Sequence, residues 1–243
     1  MSVFRRNLVI YLAICGVHLL SLSPSSVRAS IDITEWALVN GVQDFSMQDI
    51  VQDASAFTVV ENPFIASHSA AVGPSTVETS YDFSWSNDFG SFDIQMSQFI
   101  PNPFVRVVSS GDILVTPTTD LSVSFDSSLT YTSSPGDEAA IRLRTIVIEE
   151  NTNVVFFHAM VEGGGFFFEP PSGTLAFSGD VILPAGSTYH IDYLVEIHSL
   201  TVPNPQAPIT ADGFVHFDLQ AVPEPSTLSL LAIGLLLTRR PRG

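Results

Sequence analysis

The stretch at 189–198, YHIDYLVEIH, decides the fold class of the chain. Its odd-numbered residues are apolar or aromatic, and its even-numbered residues are polar except for Leu194. Successive side chains of a β-strand point to opposite faces, so this alternation places one face in a core and the other in water. A helix could not gather the same apolar positions on one side. The stretch therefore predicts an amphipathic strand of an antiparallel sheet.

The same two-residue alternation recurs along the chain. It is present at 79–85, 92–97, 121–126, 175–183 and 215–220. Clusters of Pro, Gly, Asn and Asp separate these segments at intervals of roughly 8–15 residues and indicate turns. The sequence therefore predicts an all-β domain of about ten strands, folded as an antiparallel β-sandwich of jelly-roll type.

Two segments depart from the simple alternation. The run at 153–160 is apolar at successive positions, so we expect a central strand that is buried on both faces. In 141–148 the apolar positions change from odd to even numbers. An extra residue near Thr145, in a β-bulge, would produce that change.

Residues 1–29 have the features of a secretory signal peptide. Arg5 and Arg6 precede an apolar stretch at 8–22, and Ala29 supplies a small residue for cleavage before Ser30. Cys15, the single cysteine, lies in the apolar stretch. A lipoprotein cleavage site at Cys15 is an alternative, which the bulky neighbour Ile14 disfavours. Cleavage after Ala29 would leave a mature protein without a disulfide or a thiolate metal site.

Residues 223–243 form a three-part tail after a predicted domain at 30–222. The tail contains Pro223, Glu224 and Pro225, an apolar segment at 227–238, and a basic end at 239–242 with Arg239, Arg240 and Arg242. A helix over the apolar segment would be roughly 18 Å long, against about 30 Å for the hydrocarbon core of a bilayer. We therefore expect a transient anchor. Its arginines would resist translocation and leave the domain outside the membrane.

This order of parts resembles the PEP-CTERM sorting signal of exported bacterial proteins. The resemblance rests on Pro223, Glu224 and Pro225 with the apolar segment and the basic end, about a tenth of the chain. It implies export with cleavage by signal peptidase, recognition by an exosortase (a membrane transpeptidase-like enzyme) and an inner-membrane-anchored intermediate. It further implies a final place at the cell surface or in the extracellular matrix of a Gram-negative bacterium that produces exopolysaccharide. A single-pass anchor with a Pro-rich stalk is the alternative, and retention or removal of the tail stays open.

The predicted domain is strongly acidic. Residues 30–222 contain 24 acidic residues and three arginines, a formal charge of −21, and the whole chain has no lysine. Such a surface repels nucleic acid and anionic lipid, keeps an exported protein dispersed, and attracts divalent cations.

The polar face of 189–198 holds the candidate metal ligands. They are His190, Asp192, Glu196 and His198. Same-face neighbours on a strand lie about 6.6 Å apart and can share a Zn²⁺ or Cu²⁺ ion, but His190 and His198 lie about 26 Å apart. The four cannot meet at one ion, so the solvated face of a strand is the simpler interpretation.

Calcium is a second candidate ion, and no other cofactor is predicted. Its ligands would come from Asp137, Glu138, Glu149 and Glu150, with Asn151 and Asn153 nearby. Six to eight oxygens must converge on Ca²⁺, and the chain has no Asp-x-Asp-x-Asp-Gly loop. Calcium binding therefore stays open.

Catalysis has no clear signal in the sequence. The chain has no Gly-x-Ser-x-Gly elbow and no phosphate-binding glycine loop. Trp36 and Phe214 are the candidate aromatic contacts for sugar rings. We expect a structural or adhesive protein without enzymatic activity. A carbohydrate-binding module is the first alternative, and a secreted hydrolase with two facing carboxylates is the second.

Overall fold

A computed structural model describes residues 31–45, 51–58, 62–101, 104–133, 139–165, 172–199 and 208–222. These residues form twelve β-strands. The strands are β1 (Ile31–Asp44), β2 (Val51–Thr58), β3 (Phe64–Val72), β4 (Ser75–Trp85), β5 (Phe89–Ile100), β6 (Val105–Pro117), β7 (Leu121–Thr132), β8 (Ala139–Glu149), β9 (Val155–Gly163), β10 (Ser172–Leu183), β11 (Tyr189–Ser199) and β12 (Ile209–Ala221). The predicted signal peptide (1–29), apolar helix (227–238) and basic end (239–242) lie outside the described residues.

The strands form two six-stranded antiparallel sheets. Sheet 1 has the order β2-β1-β6-β11-β8-β9, and sheet 2 has the order β10-β7-β12-β5-β4-β3. The sheets pack face to face, so each has an inner face toward the core and an outer face toward solvent. This arrangement confirms the prediction of an all-β sandwich.

Strands β5 to β12 follow a jelly-roll path. β5 pairs with β12, β6 with β11, β7 with β10, and β8 with β9, as in one long hairpin that has been rolled up. The roll closes where β7 pairs with β12 and β8 pairs with β11. Eight strands divided in this way between two sheets are a jelly roll, as the sequence predicts. The first four strands widen the roll, because β1 pairs with β6 and β4 pairs with β5.

The core is rich in aromatic rings. The largest fully buried side chains include Tyr81, Tyr189, Tyr193, Phe83, Phe92 and Phe217. Phe92 and Phe217 stack at 5.1 Å between ring centroids, and Phe125 and Phe157 stack at 4.6 Å. Stacked pairs of this kind add to the free energy gained from burying the ring area itself.

The stretch at 189–198 lies in β11, in the interior of sheet 1 between β6 and β8. Its odd-numbered side chains, from Tyr189 to Ile197, are buried, as the alternation predicts. The predicted inner residues of β4, β5, β7 and β12 are buried in the same way, except that Trp85 is only partly buried. The solvent-facing side chains of β11 therefore line the middle of the outer face of sheet 1.

The prediction for 153–160 is wrong. This segment contains most of β9, which ends the described order of sheet 1, and Val155 and Met160 are 51% and 48% exposed. Its apolar run has another cause. Val147 pairs with Phe157 and Ile148 pairs with Val155, so Phe156 is an extra residue and both phenylalanines pack against the core.

The predicted bulge near Thr145 is also misplaced. From 141 to 148 β8 keeps its alternation, with Thr145 buried and with Ile146 and Ile148 half-buried on the outer face. The change of apolar parity reflects outward-facing isoleucines, and the irregularity lies one strand away, in β9.

Candidate functional site

The outer faces of the two sheets differ in charge. Arg106, Arg142 and Arg144 are the arginines of 30–222, and all three lie on the outer face of sheet 1. The described outer face of sheet 2 therefore carries no arginine. Its acidic residues are Glu78, Asp82, Asp93, Asp126, Asp180, Asp212 and Asp218. The molecule thus has a mixed-charge face and an acidic face.

A ladder of ion pairs crosses four strands of sheet 1. Arg106 Nε donates to Glu196 Oε1 at 2.6 Å, and Arg142 Nε donates to Glu162 Oε1 at 2.7 Å. Arg142 also lies 3.7 Å from the second oxygen of Glu196, whose side chain is 8% exposed. Both carboxylate oxygens of Glu196 therefore face arginines, and Glu196 is not placed to bind a metal ion.

His198 lies beside this ladder and apart from His190. Its ring is 5.7 Å from that of Phe45, between centroids. Burial lowers the pKa of His198, the charge of Glu196 raises it, and Arg106 and Arg142 lower it further. The structure thus separates Glu196 and His198 from the other two predicted ligands, as the strand rise requires.

His190 and Asp192 meet a residue that the sequence analysis did not select, Asp112 of β6. Asp112 and Asp192 are direct cross-strand partners, and His190 Nδ1 lies 2.9 Å from Asp112 Oδ2. One ligand atom from each of the three residues lies within 4.8 Å of the other two. Within the described ranges, no other group of three His, Cys, Asp or Glu residues meets that distance. We refer to these residues as the 112/190/192 cluster.

The carboxyl group of Asp192 titrates abnormally. Burial and, after it, the neighbouring carboxylate of Asp112 raise the pKa of Asp192 to about 7, although the charges of His190 and Arg144 oppose the shift. The 112/190/192 cluster is therefore a half-buried place with an excess of carboxylate over positive charge.

A cleft of about 690 Å³ opens on the outer face of sheet 2. Strands β3, β4, β5 and β12 line it, and its polar groups include Glu78, Asp93, Gln95 and Asp212. Phe214, a predicted sugar contact, forms part of the lining and is 37% exposed. The side chain of Trp36, the other predicted contact, lies outside the described part of the structure.

His216 lies beside the cleft between two carboxylates. Its Nδ1 is 2.7 Å from Asp93 Oδ1, and its Nε2 is 3.2 Å from Asp218 Oδ2. Burial alone lowers the pKa of His216, but the hydrogen bonds and charges of Asp93 and Asp218 outweigh burial, and the pKa is raised overall. Each ring nitrogen therefore already has a carboxylate partner.

The predicted calcium ligands divide between described and undescribed residues. Asp137 and Glu138 lie outside the described residues. The carboxylate of Glu149 accepts a hydrogen bond from Thr152 in the β8–β9 turn, and hydrogen bonds from Ser187 and Thr152 lower its pKa. Asn153 closes that turn with φ of 56° and donates its N–H to Glu149 O at 2.9 Å. The carboxylate of Glu149 is thus held by hydroxyl groups.

The predicted processing residues lie outside the described residues. They are Ala29, Ser30, Pro223, Glu224, Pro225, Arg239, Arg240 and Arg242. The described chain ends just before this tail, at Val222, whose N–H donates to Asp120 O at 2.7 Å. Among the described residues, no helix has the length and apolar character needed to cross a bilayer.

Similar solved structures include a subviral particle, a CBM22 tandem domain and a carbohydrate-binding module. The infectious bursal disease virus VP2 subviral particle shares 10% identity, with 88% of this chain and 72% of that chain covered and a TM-score of 0.23. The CBM22-1-CBM22-2 tandem domain of Paenibacillus barcinonensis Xyn10C shares 12% identity, with coverages of 80% and 76% and a TM-score of 0.24. The Clostridium thermocellum family 11 carbohydrate-binding module, in complex with a β-1,3-1,4-mixed-linked tetrasaccharide, shares 12% identity, with coverages of 76% and 98% and a TM-score of 0.21.

The C-terminal tail gives the specific match. No curated protein matches the chain. A model of the PEP-CTERM protein-sorting motif matches residues 221–242, which contain Pro223, Glu224, Pro225 and the predicted apolar helix. The chain therefore carries a PEP-CTERM sorting motif, which implies a protein that a Gram-negative bacterium exports through a membrane-anchored intermediate and sorts with an exosortase.

Proposed function

We propose that the protein is displayed at the cell surface or in the extracellular matrix as a non-catalytic structural or adhesive module. The observation that carries this proposal is the junction of domain and tail. The sorting motif begins at Ala221, the last residue of β12. The jelly roll is therefore the cargo that the motif delivers, and it is joined to the tail without an intervening domain.

Replacement of Pro223, Glu224 and Pro225 by alanine tests the sorting step. In a host that has an exosortase, the wild-type protein should leave the inner membrane, and the alanine variant should remain there or be misdirected. Intact-mass measurement and cell fractionation report both outcomes.

The chain supplies a matched control for this test. Pro203, Asn204 and Pro205 form another Pro-x-Pro sequence outside the motif, and their replacement by alanine should leave sorting unchanged. Equal processing and location of the wild-type protein and the 223–225 variant would refute the proposal.

Polysaccharide binding is a second candidate function, and the cleft on sheet 2 favours it. Hydroxyl, amide and carboxylate groups line the cleft together with the exposed ring of Phe214. Such a lining can hydrogen-bond to sugar hydroxyls while the ring contacts a sugar face. The carboxylates of Glu78, Asp93 and Asp212 would repel an anionic chain, so a neutral or amino-sugar polymer fits best.

Phe214→Ala tests this second candidate. We expect the variant to bind neutral polysaccharide about tenfold more weakly, which corresponds to about 1.4 kcal/mol for one lost aromatic contact. Phe99→Ala is the control, because Phe99 is 36% exposed on the same outer face but does not line the cleft. No retention of the wild-type protein on any glycan would refute binding, and release of shorter oligosaccharides would favour the hydrolase alternative.

A further inference from the structure

We propose that Asp112, His190 and Asp192 form a binding site for one divalent transition-metal ion on the outer face of sheet 1, with Zn²⁺ as the ion that fits best. The site lies on the opposite sheet from the cleft and is independent of the proposed function. Its basis is the geometry of three side chains that β6 and β11 bring together.

The ligand set has the chemistry of a transition-metal site. One imidazole nitrogen and two carboxylate oxygens suit Zn²⁺ and its first-row neighbours, whereas Ca²⁺ and Mg²⁺ prefer oxygen alone. Among first-row divalent ions, affinity for such sites rises from Mn²⁺ to Cu²⁺ and is lower for Zn²⁺, but Zn²⁺ has no d-electron preference for a particular geometry and so accepts an irregular three-ligand set. Three protein ligands also leave coordination positions for water, as in open zinc sites.

The distances permit coordination without a change of backbone. Metal–ligand bonds of about 2.0–2.2 Å place neighbouring ligand atoms roughly 3.0–3.6 Å apart. His190 Nδ1 and Asp112 Oδ2 are 2.9 Å apart, and all three ligand atoms lie within 4.8 Å of one another. Small rotations of half-buried side chains would complete the approach.

The backbone register holds these side chains together. Asp192 pairs directly with Asp112, and His190 precedes Asp192 by two residues on the same face of β11. Like charges placed directly opposite each other on neighbouring strands destabilise a sheet. A bound dication would convert this repulsion into coordination.

The surrounding charges set the strength of the site. Arg144 of β8 lies near Asp192 and partly compensates the carboxylates, so an entering ion must compete with it. Asp112 and His190 keep 39% and 32% of their side-chain surface exposed, which gives an ion access from solvent. The ion is therefore expected to exchange with solution.

The group of Asp93, His216 and Asp218 differs from the proposed metal site in its geometry. There the two carboxylates lie at opposite nitrogens of the His216 ring, at 2.7 Å and 3.2 Å, and cannot converge on one ion. The two groups have the same composition of one histidine and two aspartates. His216 therefore provides a control of matched chemistry and different geometry.

Cobalt titration of the full-length, tag-free protein in mild detergent tests the proposal. Co²⁺ reports its coordination by visible absorption, and Zn²⁺ is then added in competition. We expect one Co²⁺ per chain and its displacement by Zn²⁺. Asp112→Asn, His190→Gln and Asp192→Asn should each weaken Co²⁺ binding at least tenfold, and His216→Gln should leave it unchanged.

The opposite results would overturn the proposal. They are the absence of saturable Co²⁺ binding up to about 1 mM, a limit equivalent to 4.1 kcal/mol of binding, or equal affinity in the wild-type protein and the three variants. Circular dichroism checks that each variant is folded. If Asp192→Asn does not fold, the Asp112 and His190 variants decide the outcome.

Discussion

At the scale of single residues, Gly111 shows how closely the core of sheet 1 is packed. Gly111 lies opposite both Tyr193 and Leu38 on the neighbouring strands. A Cβ atom at position 111 would lie 2.3 Å from Tyr193 Cε1 and 2.8 Å from Leu38 Cδ2, and both side chains are fully buried. We therefore expect Gly111→Ala to lower the free energy of unfolding by about 1–3 kcal/mol, as overpacking does.

Urea denaturation measures this effect. Ser110→Ala is the matched control, because Ser110 directly precedes Gly111 in β6 and its side chain lies on the outer face. The control should change stability by less than about 0.5 kcal/mol. If Gly111→Ala is as stable as Ser110→Ala, the ring of Tyr193 does not occupy the space above Gly111.

His216 gives a prediction about pH. Its pKa is raised above the ordinary value of 6.5 because Asp93 and Asp218 outweigh the effect of burial. A raised pKa means that the folded state holds the proton more tightly, so the stabilisation is fully present below about pH 6.5. It is lost as pH rises through the raised value. The stability difference between the wild-type protein and His216→Gln should therefore be larger at pH 6 than at pH 8.5.

Denaturation of both proteins at the two pH values measures this difference. In an Asp93→Asn background the pH effect should shrink, because the partner at 2.7 Å has lost its charge. If the stability difference between the wild-type protein and His216→Gln grows from pH 6 to pH 8.5, the pKa of His216 is not raised in the folded state.

At the scale of elements, a buried polar group joins the added strands to the jelly roll. Thr79 of β4 donates to Asn40 Oδ1 of β1 at 2.9 Å, and lies 3.1 Å from the hydroxyl of Ser109 in β6. Asn40 Nδ2 donates to His68 O of β3 at 3.1 Å, and Asn40 is 1% exposed. These hydrogen bonds connect strands of both sheets.

Asn40→Ala should therefore destabilise the protein by about 2–3 kcal/mol, because it removes hydrogen bonds from buried partners. Asn62→Ala is the control, since Asn62 also bonds to the backbone of another strand, at Trp85, but at an exposed site. We expect at most about 1 kcal/mol for the control in thermal or urea denaturation. Equal losses of unfolding free energy in the two variants would show that burial of Asn40 does not increase the contribution of its hydrogen bonds.

The strands also show which features a sequence reveals. β11 was predictable because one inner face and one outer face leave an alternating pattern. β9 was not, because its apolar run has two causes that look alike in the sequence. A strand buried on both faces and an edge strand whose bulge turns Phe156 and Phe157 inward both give consecutive apolar residues.

The candidate sites depend on strand pairing, which local patterns do not contain. The sequence placed His190 and Asp192 on one face of a strand, and the structure confirms this placement. Asp112 could not be selected, because it lies 78 residues before His190 and its position follows from the pairing of β6 with β11. The cleft on sheet 2 similarly combines β3, β4, β5 and β12. The sorting motif was predictable because its parts are consecutive in the chain.

At the scale of the whole molecule, net charge should control stability. Residues 30–222 carry 24 acidic residues against three arginines, so repulsion among carboxylates exceeds the attraction in the few arginine ion pairs. The Debye length, over which charges interact before salt screens them, is about 30 Å at 0.01 M salt and about 10 Å at 0.1 M. Added salt therefore weakens the repulsion. We expect the melting temperature to rise by several degrees between 10 and 300 mM NaCl, since about 1 kcal/mol corresponds to roughly 2–4 °C for a chain of this size.

Choline chloride is the control for this prediction and should raise the melting temperature equally, because a bulky cation screens charge without entering a metal site. A fall in melting temperature, or an increase with NaCl alone, would show that specific ion contacts outweigh the general repulsion.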